Sequence, residues 1–201
     1  MSDTVVLLAG ANGDVGAAIA RAVLLAGGKV AAAVTRDWQV AKVREQLLEG
    51  GVDPAALLVG LVAPRDAEAA AGFVKGATDA LGPISHVAGA SFEQRSGKAG
   101  REPAGDLDDL LEINLHTNAT LARAALPAMR RRKSGTLVFA KQPARGDACS
   151  TTCMASFAAM GAFADALRPD VQAASVRIET VAADCEPAEW LSLLQVSAGA
   201  S

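Results

Sequence analysis

Six short runs of β-branched and aliphatic residues punctuate this chain at intervals too long for hairpins. They are "TVVLLA" (4–9), "KVAAAV" (29–34), "ALLVGLV" (56–62), "ISHVAG" (84–89), "GTLVFA" (135–140) and "SVRIETVAA" (175–183). Each of the first five passes through a polar or Gly-containing turn into an Ala-rich helical pattern of about ten residues or more. Strand and helix in alternation predict a parallel sheet covered by helices on both faces, a doubly wound α/β architecture. No internal repeat or composition break divides the 201 residues, so residues 1–201 read as one domain.

The least periodic stretch, "FEQRSGKAGREPAG" (92–105), reads as a mobile loop. It leads into one long helix over 106–129, with Asp106 as its N-cap.

Composition narrows the class of partner. Hydrophobic residues make up 51% and charged residues 20%, which suits a globular chain. The formal charge is -3, and the longest basic run, Arg130 to Lys133, closes a helix where the macrodipole favours cations. Nucleic-acid binding is therefore not expected. The start, "MSDTVVLLAGANG", shows no basic leader, and no apolar run is long enough to span a membrane. Cys149, Cys153 and Cys185 are odd in number and lack metal-type spacing, so a reduced, cytoplasmic chain without a metal is expected.

Directly after the first strand stands "GANGDVG", with Gly10, Gly13 and Gly16 at intervals of three, followed by the helix "AAIARAVLLAG". Gly10 permits the strand-to-helix turn, Gly13 lets a phosphate approach the backbone, and Gly16 lets helix and strand pack closely. The helix N-terminus then faces an anion. This is the arrangement of a dinucleotide site in a Rossmann-like sheet. The alternative reading is a tight structural turn and nothing more. The second strand ends at "VTRD", where an acid would bind ribose hydroxyls and an Arg can hold a 2'-phosphate; Thr35 and Arg36 stand there. NADP is thus favoured over NAD.

On these residues, together with "HVAG" (86–89), "INL" (113–115) and "LPAM" (126–129) before "GTLVFA", the chain resembles the short-chain dehydrogenase/reductase family from residue 4 to about 184. The resemblance implies cofactor contacts at Gly10, Asn12, Gly13, Gly16, Arg36, Ala88 and Gly89, and a structural and catalytic role for Asn114. It also implies a Tyr proton donor and, one helical turn later, a Lys that holds the nicotinamide ribose.

Counting back from "VRIETVAA" puts Cys153 and Phe157 at those two positions. The chain has no Tyr, and no Lys follows Lys141. Where the family carries its substrate-orienting Ser, Lys141 and Gln142 stand. Gly60, Leu61 and Val62 replace the acid often found near adenine. Beyond the sixth strand, "ADCEPAEWLSLLQVSAGAS" leaves room for one short helix at 187–195, so the fold is expected to be C-terminally shortened, its substrate pocket open or filled by a partner.

Three functions follow as expectations. The chain binds NADP without the family's catalysis, as a sensor, scaffold or subunit. Alternatively it is an active NAD(P)-dependent oxidoreductase using Lys141, Gln142 or Cys153, or a cofactor-free structural subunit. The family assembles through helices that here span roughly 106–131 and 151–168, which implies a homodimer or homotetramer. Ala155, Ala158, Ala159, Gly161 and Ala162 could let helices approach closely; a buried core face explains them equally well.

Overall fold

A computed structural model describes residues 4–144 and 149–195. Six parallel strands form one sheet: β1 (Val5–Ala9), β2 (Lys29–Val34), β3 (Leu57–Leu61), β4 (His86–Gly89), β5 (Gly135–Lys141) and β6 (Val176–Ala182). Their order is β3-β2-β1-β4-β5-β6, the doubly wound arrangement expected, with the sequence direction reversing between β1 and β4. All five residues of β1 are buried, which only a sheet covered on both faces requires.

Side-chain alternation sorts the sheet into two cores. Val6, Leu8, Val30 and Val138 face one side, where Ile19 and Val23 of helix α1 (Asp14–Leu25) and Val43 and Leu47 of α2 (Asp37–Leu48) pack. Leu7, Ala31, Val87 and Leu137 face the other. There Val74 and Leu81 of α3 (Ala67–Leu81) meet the later helices.

The remaining helices are α4 (Asp106–Leu111), α5 (Thr117–Arg132), α6 (Thr151–Gln172) and α7 (Pro187–Leu193). The first turns of α6 join the first core through Cys153 and Phe157, and its later turns join the second through Met160 and Ala164. Local chemistry fixes the helix starts: Asp66 accepts the Ala69 N–H at 2.8 Å, and Ser150 accepts the Cys153 N–H at 3.2 Å. The short terminal helix expected at 187–195 is α7, and Trp190 inserts its whole side chain into the first core.

The long helix expected over 106–129 is not continuous. A π turn at Glu112–His116 separates α4 from α5, and Asn114 lies within it. Asp106 does not cap: the N-cap is Gly105, and Asp106 instead accepts from the Arg95 guanidinium at 2.8 Å. An ion pair with a residue eleven positions back holds that carboxylate away from the helix backbone.

Among the described residues nothing pairs with the outer edge of β6. No helix of the described residues is long and apolar enough to cross a membrane.

Candidate functional site

A cleft of about 390 Å³ opens at the carboxyl ends of β1, β2 and β4, the crevice where strand order reverses. Gly10, Asn12 and Gly13 line it from the glycine turn, Arg36 and Trp38 from the β2–α2 corner, and Ser91 to Glu93 from the segment after β4, with Ile113 beside them.

Two of the three loop glycines are demanded by the backbone. Gly10 has φ +81°, and a Cβ there would stand 2.3 Å from the Ala90 oxygen. A Cβ on Gly16 would stand 2.1 Å from the Gly10 oxygen, so helix α1 could not pack against its own turn. Gly13 differs, because a Cβ would meet only the Gly10 oxygen at an ordinary 3.6 Å. Nothing inside the chain forces glycine at this exposed position, which caps α1 with no side-chain acceptor. Room for an approaching ligand is what its missing Cβ leaves. Asp14, in the first turn of α1, sets a carboxylate beside the same helix end.

Arg36 stands at the N-terminus of α2 and lines the cleft. The corner that presents it is held by Gln39, whose Oε1 accepts the N–H groups of Thr35 (3.2 Å) and Arg36 (3.0 Å). Gln39 is buried, and the bond it forms to the N-cap backbone is half of a capping box. Trp38 is 64% exposed beside Arg36, with the Lys42 Nζ 5.6 Å from its ring centroid.

Ala88 and Gly89 do not line the cleft. Both are buried in β4, and a Cβ on Gly89 would stand 2.5 Å from the Phe139 ring, so this glycine serves packing against β5. The next two residues, Ala90 and Ser91, reach the cleft instead. Gly16 likewise lies beneath the turn rather than in the cleft wall.

Asn114 is 1% exposed, and its amide is fully engaged. Oδ1 accepts the Glu93 N–H at 2.7 Å, while Nδ2 donates to the Glu93 carbonyl (3.1 Å) and to Ser156 Oγ (2.8 Å). One helical turn on, Asn118 does the same for Ser91, accepting its N–H at 3.3 Å and donating to its carbonyl at 2.8 Å. Two amides spaced i and i+4 thus bind alternate residues of the segment that follows β4. The strap continues to α6, where the Ser150 N–H donates to the Arg95 carbonyl at 2.7 Å. Arg95 itself pairs with Glu93 and Asp106, which raises its pKa further. The stretch read from sequence as a mobile loop is anchored at each of these points.

Beneath the strap lie the positions matched to the family's Tyr and Lys. Cys153 and Phe157 are both 0% exposed. Phe92 of the strap covers Phe157, ring centroids 6.1 Å apart. The Cys153 and Cys149 sulfurs lie 2.8 Å apart. Burial first, and that contact second, push the Cys149 thiol up to about 12. Lys141 and Gln142 are exposed and line a different groove, with Asp165 and Arg168 of α6. The structure therefore does not bring Lys141 together with Cys153 in the cleft. Among the described residues no group of three or more His, Cys, Asp or Glu could hold a metal.

Sequence reading missed three residues here: Gln39, Asn118 and Trp38. Asn118 carried a readable signal, a second Asn at helical spacing from Asn114 in an otherwise Ala- and Leu-rich segment.

Known proteins give this geometry a family. No curated protein sequence matches the chain. Among solved structures, a metagenomic short-chain oxidoreductase in complex with NADP is 22% identical at a TM-score of 0.79, matching 100% of this chain and 95% of its own. A short-chain dehydrogenase from Streptomyces avermitilis is 23% identical at 0.75, over 89% of this chain and 66% of that one. An NADPH-bound short-chain oxidoreductase from Pseudomonas aeruginosa, described as containing an atypical catalytic center, is 17% identical at 0.78, over 90% and 71%. These likenesses establish the fold. The sequence profile of the short chain dehydrogenases matches residues 4–186, nearly the whole of the described chain, and with the glycine turn at the strand-order reversal this places the protein in the short-chain dehydrogenase family.

Proposed function

We propose that this protein binds NADP at the Gly10–Gly16 turn and acts as a sensor, scaffold or subunit rather than as a carbonyl reductase. One observation carries the reading: the glycine turn opens onto a cleft while Cys153 and Phe157, matched to the family's Tyr and Lys, are sealed in the core. The residues fit the adenosine and phosphate portion of such a cofactor. Gly13 leaves space for a phosphate, the N-terminus of α1 offers it a partial positive charge, and Arg36 lines the cleft just past β2, from where an Arg can hold a 2'-phosphate. A bound cofactor would supply a hydride; neither Cys153 nor Phe157, at the matched positions, is placed to deliver the accompanying proton. A thiol held as high as Cys149 and a thiol as enclosed as Cys153 are poor proton relays near neutral pH. The Pseudomonas relative, bound to NADPH around an atypical centre, supports cofactor binding outliving the usual centre in this fold.

Calorimetric titration with NADPH and then NADH tests the reading. Tighter binding of NADPH is expected, and Arg36→Ala should erase the preference. Carbonyl and quinone substrates should give no NADPH oxidation above a protein-free blank. Binding of neither cofactor would overturn the proposal.

Assembly is proposed to use the outer face of α6, where Ala155, Ala158 and Ala162 are exposed. A dimeric or tetrameric mass by light scattering is the expected result.

A further inference from the structure

We infer that the site seats only the adenosine half of a dinucleotide, so that its ligand class is a phosphorylated adenosine and the nicotinamide half makes no stabilising contact. This rests on the reading that the glycine turn holds a nucleotide. A doubly wound sheet consists of two mononucleotide-binding halves, and a dinucleotide lies across both. Among the described residues, the cleft wall is drawn from the turn after β1, the end of β2 and the start of α2, the chain after β3, the chain after β4 and the helical run 112–117. None comes from β5, α6 or β6.

The second half is filled. From the end of β4 the strap runs over the start of α6, held at Ser91 by Asn118, at Glu93 by Asn114 and at Arg95 by the Ser150 N–H. Under it Phe92 packs on Phe157, and Phe157 occupies the position from which the family's Lys would hold the nicotinamide ribose. A ring and its ribose entering there would have to displace the Phe92–Phe157 pair.

Arg36 and Trp38 line the cleft where β2 turns into α2. At that corner Trp38 offers an exposed indole face to a base, in a chain whose third strand ends in Leu61 and Val62 rather than an acid.

The test compares three probes on the full chain: NADPH, adenosine 2',5'-bisphosphate and nicotinamide mononucleotide. The bisphosphate is expected to bind within about tenfold of NADPH, a difference below about 1.4 kcal/mol. The mononucleotide should not compete with it. The dihydronicotinamide emission of NADPH, which changes when the ring leaves water, should stay at its free value on binding. Trp38→Ala should weaken NADPH and the bisphosphate alike by about tenfold, in the range of an aromatic stack on a base. NADPH binding more than about tenfold tighter than the bisphosphate, or a shifted emission, overturns the half-site while leaving the nucleotide reading intact. Failure of both adenosine ligands to bind wild-type protein overturns the nucleotide reading itself. Unchanged affinity of both in Trp38→Ala overturns the placement of the base.

Discussion

Replacing Asn114 by Ala separates a catalytic asparagine from one that holds the fold together. The substitution removes three hydrogen bonds from a side chain that is 1% exposed. Ser156 Oγ is not orphaned, because it still donates to the Cys153 carbonyl at 2.8 Å. The Glu93 N–H and carbonyl lose their partner and are only half-buried, so water recovers part of their cost. At the low end of the penalty for unsatisfied groups, about 1 kcal/mol each, plus the space left by the amide, the loss is about 2–3 kcal/mol.

Urea unfolding followed by circular dichroism measures it, with Asn118→Ala and the double variant completing a cycle. Both amides grip one strap, so the coupling should exceed about 0.5 kcal/mol. Hydrogen exchange at the Glu93 amide should accelerate in the single variant. A loss below about 0.5 kcal/mol with an unchanged m value, and strict additivity with Asn118→Ala, would refute the assignment of Asn114 as a strap anchor.

Four further outcomes are expected. Gly16→Ala drives a Cβ to 2.1 Å from the Gly10 backbone oxygen, so it should lower the melting temperature and abolish the thermal shift given by NADPH. Restoring the family pair with Cys153→Tyr and Phe157→Lys should yield an unstable protein and no reductase, because the lysine would be a charge buried among Phe92 and the first core; a stable, active variant would contradict this. His86 has its pKa lowered, first by burial and second by Arg177, so the unfolded chain binds the proton more readily. Stability should thus be full above the unfolded value of about 6.5 and fall as pH drops toward the folded value, and His86→Gln should flatten the slope between pH 7 and 5 seen in chemical denaturation. Maleimide labelling of Cys149 should be slow near neutral pH and rise steeply above about pH 9, since its thiol is pushed up to about 12.

What could be read in advance followed from short-range physics. The six strands were legible because a doubly covered sheet demands unbroken apolar runs, and each observed strand lies within its run or extends it by Lys141 alone. Gly10 and Gly16 were legible because a strand, a tight turn and a helix in immediate succession leave no space for a Cβ. The absence of Tyr is plain from the residues alone.

The strap was not legible, because its bonds join Ser91 and Glu93 to residues more than twenty positions away. Asp106 misled for the same reason: a good capping residue was taken by Arg95 across the loop. Ala88 and Gly89 matched a family motif by position, but which face of β4 meets the cleft depends on where Phe139 of β5 points. Trp38 carried no signal of its own, because only the β2–α2 corner brings it into the cleft with Arg36.

The margin of β6 that nothing among the described residues pairs with carries a cost in crowded solution. Along its seven residues, the alternate N–H and C=O groups that point away from β5 form a row on which another chain can grow a ladder. Arg177, exposed near the start of that row, and Glu179, half-exposed at its middle, are the charges that a docking strand would have to desolvate. Replacing both with Val or Ile would leave an uncharged β-branched run at the margin of the sheet, and solubility rather than nucleotide affinity would be the property lost.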